Sequence, residues 1–193
     1  QQDLAIKYYS YVLNMFSGRL EEYPQTAHAY LKIGKILLKE NKLQDAKKAF
    51  QRATELGFHT RAYNCYIEAK QNWIMIDSKS SNVLEQLEKL EDEGRKLQKF
   101  DISWRIPYEI NMAIYKGQNG KSDSLYHFNE AIRVWNRIRS VDQQLDPELR
   151  EQFKAAAKVV KLEDIGIEKL KKMPWDRLRK EHLNEIKIQT DLI

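Results

Sequence analysis

The sequence predicts an all-α protein, an α-solenoid of antiparallel helix pairs with C-terminal capping helices. Three observations predict it. Only seven glycines and four prolines punctuate 193 residues, too few for a turn-rich sandwich. Apolar residues recur at intervals of three and four, the period of one helix face. No apolar–polar alternation runs long enough to make a strand. With 42% hydrophobic and 32% charged residues the chain has material for a core, and no long segment has a disordered composition.

The pattern is clearest over residues 27–60. Tyr30, Ile33, Leu37 and Leu38 form one stripe, with Gly34 inside it. A glycine in a helix interior costs about 1 kcal/mol against alanine, so a neighbouring helix is expected to approach there. Asn41 breaks the run as a turn residue. Leu43, Ala46, Phe50, Ala53 and Leu56 form a second stripe, in which two alanines flank a large ring as interdigitating helices require. Gly57 stands where a glycine just past a helix end would stop it. Residues 3–13 echo the second helix, with Ala5, Tyr9 and Val12 at the same small–large–small spacing.

Downstream, helices are expected over 61–76 and 82–99, joined by a polar turn at 77–81 and capped by Ser81 or Asn82. Over 106–140, Tyr108, Met112, Tyr115, Ser124, Phe128 and Ala131 reproduce the spacing of the clear stretch, and Gly117 to Gly120 supplies the turn. Met112 replaces the glycine, which predicts a splayed helix pair. Asp146 is expected to cap a helix opening at Pro147, and Pro174 to open a final helix. The predicted organisation is a repeat array over 1–141 and C-terminal helices over 142–193 that pack on or cap it.

Tyr30, Ile33, Gly34, Leu37, Ala46, Phe50 and Ala53 stand at spacings that resemble a tetratricopeptide repeat, a helix–turn–helix unit of about 34 residues. Phe58 stands where that family often has proline. The resemblance implies a concave groove, lined by the first helices of successive repeats, that holds a peptide or partner helix. On that mapping the groove side carries His28, Leu31, Lys35, Leu38 and Lys39, and in the degenerate copy Ile106, Glu109, Ala113 and Lys116. One subfamily clamps chaperone C-terminal carboxylates with Lys, Asn and Arg. Lys35 and Glu109 depart from that clamp, which disfavours a chaperone tail. The mix of Leu with Lys implies an amphipathic, somewhat acidic partner. The expected function is a protein–protein interaction scaffold within a longer protein, with the chain beginning inside a repeat. The alternative is a regulatory or sensor segment of a multidomain bacterial signalling protein.

Little in the sequence points to catalysis. His28, His59, His127 and His182 are dispersed and none pairs with Cys65 at a metal-ligand spacing, so no metal and no cofactor is expected. The carboxylates at 21–22, 88, 91–93 and 130 lie near basic residues in helical register, as in Glu85 and Lys89, which reads as helix stabilisation. No phosphate-cradling loop of the usual kinds appears, and Gly117 to Ser122 reads as an inter-helix turn. Arg133 and Arg137 share a face that could grip phosphate or carboxylate, beside a Trp135 expected to be buried. Trp73, Trp104 and Trp175 are likewise expected in the core. The net charge of +5 is interspersed along the chain, which disfavours nucleic acid, and the basic run from Lys169 to Lys180 is offset by acids. No apolar run reaches the ~18–20 residues of a membrane span. Cys65 permits no internal disulfide, and a cytoplasmic location is expected.

Overall fold

The computed structural model describes residues 2–77, 82–98, 101–121, 123–138 and 147–160. Regular structure among these residues is entirely helical: α1 (Gln2–Met15), α2 (Pro24–Lys39), α3 (Leu43–His59), α4 (Tyr63–Ile76), α5 (Val83–Leu97), α6 (Arg105–Gln118), α7 (Ser124–Ile138) and α8 (Pro147–Val159). A short 3₁₀ turn, Leu20–Glu22, precedes α2. The helices fall into two compact units, Gln1–Trp104 and Arg105–Ile193. The expected cap at Asp146, the residues 78–81, Arg139, the basic run from Lys169 and the helix after Pro174 with Trp175 and His182 lie outside the described residues.

In the first unit each helix packs on the next, and α2 also meets α4. Pro24 opens α2, where a missing N–H costs nothing. The Thr26 hydroxyl, fully buried, lies 2.6 Å from the Leu20 and Tyr23 carbonyl oxygens and ties this start to the preceding turn. Asn41 closes α2 in the left-handed region at φ 58°. The Lys42 N–H reaches back to the Leu37 carbonyl at 2.9 Å, and the Asn41 N–H to Leu38 at 3.0 Å, so the last carbonyls of α2 are satisfied as the chain reverses.

The core between α2, α3 and α4 is built from Ala27, Leu31, Ala46, Phe50, Ala53, Leu56, Cys65 and Ala69. Gly34 makes room for the Phe50 ring of α3. A Cβ placed there would lie 2.6 Å from Cε1 of Phe50, so the expected close approach is real. Gly57 does not stop α3 as the sequence predicts. The helix runs on to His59, and a Cβ at Gly57 would meet the Tyr66 backbone nitrogen at 2.9 Å. This glycine admits α4, and the reversal falls instead on Arg61, at φ 58°. Of the two alternatives for capping α5, Asn82 stands at the N-cap position but its side chain makes no capping hydrogen bond, and Ser81 lies outside the described residues.

Helices α4 and α5 share an apolar seam that includes Ile67, Ile74, Leu87 and Leu90, and Gly94 lets the Trp104 ring lie against α5. A polar tie crosses the same boundary. Tyr66 donates to Glu93 at 2.6 Å, and Lys70 donates to Glu93 and to the Tyr66 oxygen, each at 2.6 Å. Burial raises the Glu93 carboxyl, but the hydrogen bonds from Lys70 and Tyr66 outweigh it and hold it below the ordinary carboxylate range.

Cys65 is 1% exposed. Burial pushes its thiol up from 9.0 to about 12, with Glu68 adding to the effect and Lys35 and Lys32 opposing it. The thiolate is the nucleophile, and at pH 8 its fraction in the folded chain is on the order of 10⁻⁴. Iodoacetamide at pH 8 should therefore label native protein slowly and urea-unfolded protein orders of magnitude faster, read by mass spectrometry. Equal rates would show that the thiol is not held in the core. Because the folded value lies above the unfolded one, this group's contribution to stability is present below pH 9 and is lost as pH rises toward 12.

In the second unit α6 packs against α7 and α8. Tyr108, Ile110, Met112, Phe128, Ile132 and Phe153 are buried, and Phe128 meets Phe153 edge-on at 6.0 Å and 87°. A Cβ at Gly117 would lie 2.5 Å from Val159, so this glycine serves the α6–α8 approach. The turn expected over 117–120 begins later, with Gly120 at φ 66° and the Lys121 N–H returning to the Lys116 carbonyl at 2.8 Å.

Candidate functional site

In the first unit, the meeting of α2 with α4 creates a continuous polar face. A helix presents residues at i, i+4, i+7 and i+11 on one side. On α2 those are His28, Lys32, Lys35 and Lys39. Lys35 extends to Glu68 of α4 at 2.5 Å, each side chain under one-fifth exposed. His28 and Lys39 are exposed, and Lys32 is half-buried. The field of this cluster reaches His28. Partial burial lowers its pKa, Glu68 raises it, and Lys32 and Lys35 lower it further, leaving the imidazole below its ordinary 6.5.

The residues expected to line a groove divide in two. His28, Lys35 and Lys39 share this face. Leu31 does not: it is 2% exposed and belongs to the core with Phe50 and Cys65. Leu38 is half-buried against the same core. Lys32 was missed, although its four-residue step from His28 is legible in the sequence.

No family model, curated protein or solved structure matches this chain.

The second unit places its expected groove residues differently. Ile106, Glu109 and Ala113 are all buried. Glu109, 2% exposed, accepts from Arg105 at 2.9 Å and faces Nδ1 of His127 at 2.7 Å. Glu130, also buried, is bonded to Arg133 and lies 3.9 Å from Arg105. These groups form an internal ionic lattice between α6 and α7 rather than an open surface. Lys116 is bonded to Asp123 at the start of α7, which leaves its side chain largely covered. Arg133 and Arg137 are exposed beside a buried Trp135. Trp104 is buried as expected, and Trp73 is half-buried against the α2–α4 core. Glu85 and Lys89 pair at 2.6 Å within α5. Among the described residues no helix is long and apolar enough to cross a membrane.

Proposed function

We propose that this chain is a tetratricopeptide-like scaffold that binds an acidic, amphipathic peptide or helix along α2. The observation that carries the reading is the row of His28, Lys32, Lys35 and Lys39 on α2, of which Lys35 is tied to Glu68 of α4. Its support is that α2 packs on α1, α3 and α4, so the helix is fixed in place before any partner arrives. The row runs from residue 28 to residue 39, about 16 Å of helix axis, a length that three turns of a partner helix would match. Opposite charges along it would steer an acidic partner and set its register more than its raw affinity.

Leu31→Ala would confound binding with folding, because Leu31 is in the core. The informative variant is Lys32→Glu with Lys39→Glu. It should weaken an acidic peptide library hit at least about tenfold in fluorescence polarisation, and flatten the salt dependence of binding. Equal binding by wild type and variant would remove α2 as the docking face.

A further inference from the structure

The solvent side of α1 has the wrong chemistry for a helix that faces only water. Leu4 is 72% exposed, and Tyr8, Tyr11 and Met15 are each 63% exposed. These four follow one another at steps of four, three and four, so they form a single stripe. The opposite side of the helix packs on α2, and Tyr9, Val12 and Leu13 are half-buried. The stacking of Phe16 on Tyr23 at 4.4 Å ties the segment after α1 to the residue that opens α2. A helix that is apolar on both sides belongs in an interior.

We propose that this stripe is covered by the α1 helix of a second copy of the chain, packed antiparallel across a two-fold axis. Three observations select a second copy. The spacing is symmetric: with the axis between residues 9 and 10, Leu4 faces the partner's Met15 and Tyr8 faces the partner's Tyr11. A two-fold contact requires this self-complementarity. Charge does not oppose it. Among the described residues the other exposed side chains of the face are Lys7 and Asn14, and in this register Lys7 stands level with the partner's residue 12, five residues along the helix from the partner's Lys7, so the like charges are not opposed. The area suffices. Four largely exposed side chains, two of them aromatic, offer roughly 500 Å² per copy and about 1,000 Å² in total, at the lower limit for a specific interface.

Sedimentation equilibrium of the 193-residue chain tests this. The wild type should be a dimer with micromolar dissociation. Tyr8→Glu with Tyr11→Glu should weaken it at least about 100-fold with the helical circular dichroism unchanged, since neither side chain is in a core. Tyr8→Glu with Tyr11→Lys should restore much of the association, because the register sets residue 8 against residue 11 twice over. A wild type that stays monomeric at about 100 μM overturns the proposal, as does a dimer that survives the double glutamate variant or a charge pair that restores nothing. Hydroxyl-radical footprinting of the wild type keeps the test independent of variant folding. Tyr8, Tyr11 and Met15 should become protected as the protein is concentrated. Protection that appears only on adding a Leu-rich amphipathic helical peptide would assign the face to a different partner and overturn the second copy.

Discussion

Gly34→Leu should lower the melting midpoint of the Gln1–Trp104 unit by more than about 10 °C, followed by circular dichroism at 222 nm. The Cβ alone would sit 2.6 and 2.7 Å from two carbons of the Phe50 ring. That ring is fully buried, with Ala46 and Ala53 also fully buried on the same helix, so it has nowhere to turn. Either the α2–α3 pair separates or Phe50 leaves the core. Overpacking of this kind costs about 1–3 kcal/mol, and displacing a core phenylalanine about 3–5 kcal/mol. The helix-propensity gain on removing a glycine returns only about 1 kcal/mol, so the clash wins. The companion variant Gly34→Ala with Phe50→Leu exchanges volume across the contact and should be more stable than Gly34→Ala alone. An unchanged midpoint for Gly34→Leu would mean that the helices do not meet there.

Glu109→Ala should destabilise the second unit by about 3 kcal/mol in urea titration. Glu109 joins Arg105 to His127 in the interior, and its removal leaves two donors near one another without their shared acceptor. Deleting one partner of a buried pair costs about 3–5 kcal/mol, and the lower end applies because Arg105 and His127 retain some contact with water. Glu109→Gln keeps an acceptor and should cost less. A loss below about 0.5 kcal/mol would return Glu109 to the open surface that the repeat mapping assigns it.

The all-helical character and the α2–α3 pair were legible because local rules decide them. Periodicity located both helices, Asn41 marked the reversal, and a glycine inside an apolar stripe could only mean close packing. Gly57 was misread because a stopping glycine and a packing glycine look alike at the end of an apolar run. What separates them is the α4 backbone, a neighbour that periodicity along α3 cannot supply. Leu31 was misassigned for a related reason. α2 is covered by α1, α3 and α4, so its apolar arc is wider than one partner would need, and only coordinates show where it ends. Glu109 resisted the sequence most. A carboxylate is presumed solvated, and the groups that let it be buried sit four residues before it and eighteen residues after it, the latter on another helix. The basic row on α2 was within reach, since counting by four and three from His28 finds Lys32, Lys35 and Lys39.

The pairing of each helix in the first unit with its sequence neighbours has a kinetic meaning. Loops between partners are short, so little chain entropy is lost before a contact forms. Such low contact order favours folding in microseconds to milliseconds, nucleated at the α2–α3 hairpin and spreading outward to α1 and α4. The α2–α4 contact, more distant in sequence, then closes on helices that are already paired.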